Sequence, residues 1–182
     1  MDTQIQNFEK TIEELRPLVG ENLGDYLNKS LFFVCTGNND YLNNYLLPLS
    51  NKPKKYTPET YAELLLHEFS RQLKVTSAPS VVAHKIICDV AFPLFQGLYN
   101  LGGRKFLIAG LGPLGCIPNQ IGNSGNISSC VESTNHLASV FNTKLKATLD
   151  QYNSKLHDSY FLYWDTYSST LDVINNYSNY GM

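Results

Sequence analysis

Apolar positions in this chain follow two rhythms. Ile5, Phe8, Ile12 and Leu15 recur at three- and four-residue steps, so residues 2–16 predict an amphipathic helix ending near Pro17. Leu31-Phe32-Phe33-Val34-Cys35-Thr36 is a continuous apolar run stopped by Gly37-Asn38-Asn39-Asp40, the pattern of a strand buried on both faces. Within it, Cys35 reads as a small buried hydrophobe. Thr57-Pro58-Glu59 has the chemistry of a helix start, with Thr as N-cap and Pro at the first helical position. Tyr61, Leu64, Leu65, Phe69 and Leu73 continue it as one apolar face. A second buried strand is predicted at Phe106-Leu107-Ile108-Ala109, ahead of a Gly/Pro-rich stretch that reaches Pro118. Leu137, Val140, Phe141, Leu145, Leu149, Tyr152 and Leu156 form the clearest helical stripe. Tyr160-Phe161-Leu162-Tyr163-Trp164 reads as a third strand, ending at Asp165.

Helices alternating with apolar strands predict an α/β architecture, a parallel sheet covered on both faces. Three strands are few for such a sheet. Helix 2–16 precedes any strand it could pack on, and residues 175–182 stop in a loop. The expectation is therefore part of a domain.

Composition narrows the picture. The 182 residues, 43% hydrophobic and 16% charged, suit one globular domain and exclude general disorder. Fourteen basic against sixteen acidic side chains leave a net charge of −2, no field for a nucleic acid. Lys52, Lys54 and Lys55 read as a solvated loop. No apolar run approaches the ~20 residues that cross a bilayer. The N-terminus is polar and acidic where a secretory signal needs a basic start and an apolar stretch, so no signal peptide is expected in this chain. None of the four cysteines has a spacing that suits zinc, and no metal is expected. Cys116 and Cys130 bracket a loop rich in Gly, Asn and Ser, and a disulfide there would contribute about 3 kcal/mol in an oxidising compartment. The sequons at Asn28, Asn126 and Asn176 also fit secretion.

Chemistry in open α/β sheets collects at the carboxyl ends of the strands. The first strand delivers Gly37-Asn38-Asn39-Asp40 to that edge. Gly37 can take the positive φ of a sharp exit, and an Asn just beyond can aim its NH₂ at an oxyanion. The same residues also make an ordinary turn. A wider match favours the chemistry. Residues 30–41, followed by Leu42-Asn43-Asn44-Tyr45, resemble the third sequence block of plant-type GDSL esterase/lipases, SGNH hydrolases whose block reads Gly-x-Asn-Asp. Leu98-Tyr99-Asn100-Leu101-Gly102-Gly103-Arg104-Lys105 is similar to the family's Leu-Tyr-x-x-Gly-Ala-Arg-Lys, with Gly103 for the usual Ala. Gly112-Pro113-Leu114-Gly115-Cys116-Ile117-Pro118 resembles its Gly-Cys-x-Pro turn. Phe141-Asn142 and Tyr163-Trp164-Asp165-Thr166-Tyr167 follow in order, so the resemblance leaves out little beyond residues 75–96.

The resemblance implies a partial flavodoxin-like, three-layer SGNH-hydrolase sandwich over residues 1–182. It also implies a secreted serine hydrolase of carboxylic esters, with an ester or lipid substrate and no cofactor. In that family a Ser attacks, a His accepts its proton, an Asp orients the His, and an Asn shares the oxyanion with backbone amides. Only the Asn is matched here, as Asn39, with Gly37 shaping its turn. The Gly-Asp-Ser block is expected before Met1 and the Asp-x-x-His block after Met182. His157-Asp158-Ser159 precedes the third strand and so falls at the wrong end of the sheet. Asp165 has no His three residues on and reads as structural or capping. His67, His84 and His136 have no partner Ser in a recognisable motif. The expectation is an inactive polypeptide from an esterase family. The alternatives are a non-catalytic ester- or protein-binding relative and a gene-model artefact.

Residues 75–96 are an atypical insertion, because the family runs straight from Lys74 to Gly97. Pro79 and Pro93 would break a helix through it. A Val75 codon begins with GT, and Phe92-Pro93-Leu94-Phe95-Gln96 can be encoded as a pyrimidine tract ending in CAG. A retained intron and a genuine surface insertion both fit, and His84, Cys88 and Asp89 are assigned no role. Sequencing the locus decides between them: a GT-to-AG interval missing from most transcripts is expected, and an uninterrupted exon rules the intron out.

Overall fold

Three parallel strands organise the chain: β1 (Leu31–Cys35), β2 (Lys105–Ala109) and β3 (Tyr160–Trp164), hydrogen-bonded in the order β1-β2-β3. The computed structural model describes residues 2–71, 98–125 and 127–181, so the segment 75–96, His84 and the Asn126 sequon lie outside the described residues. Register aligns Leu31 with Lys105 and Tyr160 at one end, and Cys35 with Ala109 and Trp164 at the other. All three strands therefore end level, and the loops that follow them share one edge. Before β1 come α1 (Asp2–Val19) and α2 (Leu23–Lys29). Between β1 and β2 lie α3 (Asn38–Asp40), α4 (Lys52–Lys55) and α5 (Pro58–Arg71). Between β2 and β3 lie α6 (Pro118–Asn123) and α7 (Glu132–Lys155), and α8 (Thr166–Asn175) follows β3. Parallel strands joined through helices make this an α/β fold.

Successive strand residues point to opposite faces. Val34, Phe106, Ile108 and Phe161 are buried in one core with Ile5 of α1, Tyr61 and Leu65 of α5, and Leu137, Ala138, Phe141, Leu145, Leu149 and Tyr152 of α7. Ring packing stitches the layers together. Phe8 meets Phe32 edge-on at 5.3 Å, while Phe161 stacks on Phe106 at 4.7 Å and on Tyr152 at 4.8 Å. Pairs of this kind contribute about 0.5–1.5 kcal/mol beyond the area they bury.

The other face departs from expectation. Leu31, Phe33, Tyr160, Leu162 and Trp164 are exposed, and so is Cys35, whose thiol is free rather than buried. The strands are apolar on both faces yet covered on one. The right hand usual for parallel crossovers fits this: stepping β1 to β2 to β3 in one direction lays the connecting helices α5 and α7 on the same side.

Element ends follow local chemistry with two exceptions. Thr57 caps α5, its hydroxyl accepting from the Thr60 N–H at 3.3 Å. Helix α1, however, runs through Pro17 to Val19. The proline forfeits one backbone bond, but Leu15 and Val19 pack against the cluster of Ile12, Leu23 and Leu27, and that packing carries the helix on. Lys52, Lys54 and Lys55 form a helical turn instead of a loop, with the Lys52 and Lys55 ammonium groups 5.8 Å and 5.2 Å from the Tyr56 ring.

The loop after β2 is pinned twice. Cys116 and Cys130 are joined by a disulfide across a separation of 14 residues. Beside it the Asn135 side chain accepts from the Gly115 N–H at 2.8 Å, and the Val131 N–H donates to the Gly115 carbonyl at 2.9 Å. Replacing both cysteines by serine is expected to lower stability by about 3 kcal/mol while leaving far-UV circular dichroism unchanged, as measured by urea unfolding of oxidised protein.

Candidate active-site edge

Gly37 leaves β1 with φ at +105°, a left-handed conformation that glycine takes freely. A Cβ there would lie 3.0 Å from Leu111 Cδ2 and 3.4 Å from Phe141 Cζ, so a side chain would be crowded as well as strained. The Tyr41 N–H donates back to the Gly37 carbonyl at 3.2 Å, closing α3. The chain then widens into a π-type turn over Tyr41–Tyr45, where the Leu46 N–H donates to the Tyr41 carbonyl at 2.8 Å.

Aromatic packing fixes this turn from beneath. Tyr41 is fully buried, its ring 5.2 Å from that of Tyr61 and 6.0 Å from that of Phe141. The Tyr61 hydroxyl donates to the Asp40 carbonyl at 3.0 Å. Burial pushes the Tyr41 phenol well above its ordinary range and holds the Asp40 carboxyl above its own. Tyr61 is pushed up to about 12, first by burial and then by the Asp40 carboxylate. Both phenols therefore stay protonated near neutrality and serve as packing and donor groups, not as bases. The Tyr41 hydroxyl has no hydrogen-bond partner in this cluster.

The upper side of the turn is open. Asn38 turns its amide back toward the Cys35 sulfur at 4.0 Å, a long contact. Asn39 is exposed, and its side chain makes no hydrogen bond among the described residues. An unengaged NH₂ donor thus stands at the carboxyl edge of the sheet.

Neighbouring loops are tied to the same edge. Asn142 of α7 accepts from the Leu111 N–H at 2.7 Å and donates to the Leu111 carbonyl at 2.9 Å. Thr166 donates its hydroxyl to the Gly110 carbonyl at 2.6 Å, and the Gly110 N–H donates to the Trp164 carbonyl at 3.0 Å. Asp165 caps α8, accepting from the Ser168 N–H at 3.0 Å and from its hydroxyl at 2.8 Å, in line with its reading as a structural or capping residue. Asp158 instead joins Arg104 and the Tyr99 hydroxyl, with contacts of 3.1 Å and 3.0 Å. Ser159 is buried and donates to the Leu156 carbonyl. His67, His136 and His157 are exposed on the surface. Among the described residues no three His, Cys, Asp or Glu side chains gather as they would around a metal.

The structure places Gly37 against Leu111 and Phe141, with Asn39 exposed two residues on. Tyr61 and Asn142 were not singled out from sequence as supports for this turn. A polar residue inside the apolar stripe of α7 was the signal for Asn142, since an amide placed there needs a backbone to bond. Tyr61 gave no such sign, because its ring belongs to the apolar face of α5.

A parallel α/β sheet with a Gly-x-Asn-Asp turn at the carboxyl end of a strand defines an SGNH-type fold. The chain belongs to the GDSL-like lipase/acylhydrolase family, which it matches over residues 2–180. It is similar to GDSL esterase/lipase At5g08460 of Arabidopsis thaliana, at 38% identity over all of this chain and 43% of that protein. GDSL esterase/lipase At1g71691 of the same plant is 36% identical over all of this chain and 42% of its own length. GDSL esterase/lipase 7 is 36% identical over 98% of this chain and 45% of its length. The chain thus spans less than half the length of these relatives. No helix among the described residues is long and apolar enough to cross a membrane.

Gly37→Ala is expected to destabilise the chain by about 1–3 kcal/mol, combining positive-φ strain with the clash against Leu111. Urea unfolding checks the value, and near-wild-type stability would contradict the crowding described.

Proposed function

We propose that this chain carries the oxyanion-binding block of a serine hydrolase that cleaves carboxylic esters, with an ester or lipid as substrate. The observation that carries the reading is the exposed, unengaged amide of Asn39 on a turn locked by Gly37, Tyr41 and Tyr61. When a serine attacks an ester carbonyl, negative charge builds on the carbonyl oxygen. An N–H held still beside that oxygen stabilises the transition state more than the ground state and costs no reorganisation. Asn39 supplies this donor, and Gly37 sets its position.

The attacking Ser and its His-Asp pair belong to the family's Gly-Asp-Ser and Asp-x-x-His blocks, neither of which occurs in these 182 residues. Losing a nucleophile costs on the order of 10⁶ in rate, far more than one donor can restore. The 182 residues alone are therefore inactive in this reading. The Cys116–Cys130 bridge and the exposed sequons at Asn28 and Asn176 support an oxidising, secretory setting.

A chimera tests the assignment. The 182 residues are flanked by the parts of GDSL esterase/lipase 7 that lie on either side of its matched stretch, and hydrolysis of p-nitrophenyl acetate is followed. The chimera is expected to turn over. Asn39→Ala should lower kcat by about 10²–10³ with little change in KM, and the 182 residues alone should give no turnover. An undiminished rate in Asn39→Ala would remove the oxyanion role, and turnover by the short chain would overturn its inactivity.

A further inference from the structure

Residues 46–57 join the Asn39 turn to α5. This loop starts just past the exit of β1 and ends where Tyr61 of α5 reaches Asp40, so it stands on the carboxyl edge of the sheet. The Tyr45 hydroxyl donates to the Tyr56 carbonyl at 3.1 Å and ties the two ends together. Tyr61 backs that neck, its ring 4.6 Å from that of Tyr45 and 6.0 Å from that of Tyr56. Because the same tyrosine holds the Asp40 carbonyl, the loop and the Asn39 turn share one support. Beyond the neck the backbone runs in ordered turns. The Ser50 N–H donates to the Leu47 carbonyl at 2.9 Å, and the Tyr56 N–H to the Lys52 carbonyl at 2.8 Å.

The side chains on this loop combine two characters. Tight turns are dominated by Gly, Pro, Asn, Asp and Ser, yet here Pro48 is followed by Leu49, which is 99% exposed, and preceded by Leu47, which is 50% exposed. Close by stand Lys52, Lys54 and Lys55, which make no ion pair among the described residues. The chain carries no carboxylate between Asp40 and Glu59, so a protein of net charge −2 concentrates positive charge around two bare leucines. Apolar side chains in water and ammonium groups without an anion suit one kind of partner, a surface that is apolar beneath and anionic on top. A polyanion with no apolar layer would leave the leucines in water. A purely apolar partner would leave the lysines unmatched.

We propose that residues 46–57 are a docking loop for the surface of an anionic lipid bilayer. Leu47 and Leu49 enter the boundary between head groups and acyl chains. Lys52, Lys54 and Lys55 bind lipid phosphates, their stems lying along the apolar layer. The proposal deepens the ester-hydrolase reading and rests on it for what docking achieves. With its neck fixed to the Asn39 turn, the loop sets that edge against the surface, and the ester is drawn from the membrane instead of from free solution.

Co-sedimentation of the 182-residue chain with sucrose-loaded vesicles tests docking without turnover. Vesicles of phosphatidylcholine mixed with phosphatidylglycerol should carry the chain down, vesicles of phosphatidylcholine alone should not, and added salt should weaken the binding. Lys54→Ala should weaken partitioning about fivefold, and alanine at Lys52, Lys54 and Lys55 together about a hundredfold. Leu47→Ser combined with Leu49→Ser should weaken it about tenfold or more. Lys29→Ala, just ahead of β1 at the opposite edge, should change nothing. None of these side chains packs in the core, so melting temperatures should stay unchanged. Equal binding to the two kinds of vesicle, or none to either, would overturn the proposal. So would full binding by the triple lysine variant. Mixed-vesicle binding that survives loss of both leucines would overturn it as well, since charge attraction alone would then be the cause. In the chimera, Leu47→Ser with Leu49→Ser should leave hydrolysis of soluble p-nitrophenyl acetate unchanged and slow that of p-nitrophenyl laurate carried in the mixed vesicles. An inactive chimera that still binds vesicles overturns the ester reading and keeps the docking loop, while an active chimera that ignores them does the reverse.

Discussion

The close approach of α7 to the exits of β1 and β2 holds the rest in place. Phe141 presses on Gly37 and meets the Tyr41 ring, while its neighbour Asn142 clamps the Leu111 backbone through both of its polar atoms. One helical residue thus shapes the turn after β1, and the next anchors the loop after β2. Leu111 closes the triangle, since its side chain also limits the space beside Gly37. Each contact depends on the others. A side chain at Gly37 would push Leu111 away from Asn142, and losing Asn142 would leave two buried backbone groups unpaired, each costing about 1–3 kcal/mol. The rigidity at Asn39 comes from this packing, because its own side chain contributes no bond to it.

Sequence periodicity carried much of this fold and little of its coverage. The helical stripe from Leu137 to Tyr152 was legible from its 3.6-residue rhythm, and the three strands from short continuous apolar runs bounded by turn residues. The fate of Phe33, Cys35, Leu162 and Trp164 was not, because an apolar run reports what a strand can bury and not what lies over it. Pro17 shows a similar limit. Its local penalty is readable from one residue, whereas the cluster of Ile12, Leu23 and Leu27 that outweighs it is assembled across two helices.

At the site, Gly37-Asn38-Asn39-Asp40 was ambiguous by composition, since turns and oxyanion donors use the same residues. Ordered resemblance along the chain, from residues 30–45 through the motif ending at Tyr167, tilted the reading toward the donor role proposed for Asn39; family membership over residues 2–180 bears on the resemblance itself. The supports were harder to see. Tyr61 looks like any apolar position on α5, and only the fold brings its hydroxyl to the Asp40 carbonyl. His157-Asp158-Ser159 makes the complementary point. Its residue types suggest chemistry, yet it lies on the amino side of β3, where Asp158 pairs with Arg104 and Tyr99 as part of the framework.

The buried phenol of Tyr41 links stability to this arrangement in an instructive way. A hydroxyl without a partner inside a core is a net cost, and phenylalanine would fill the same ring volume without it. The ring is needed regardless, because it bridges Tyr61 and Phe141 under the turn. Among the described residues nothing pairs with this hydroxyl, although the neighbouring Tyr45 and Tyr61 rings carry hydroxyls of their own. Among the described residues the Tyr41 hydroxyl therefore stays uncompensated beneath the Asn39 turn, whereas Tyr61, one ring away, has its hydroxyl satisfied by the backbone of the motif itself. Between these two tyrosines, the second defines the geometry of the Asn39 turn and the first its depth.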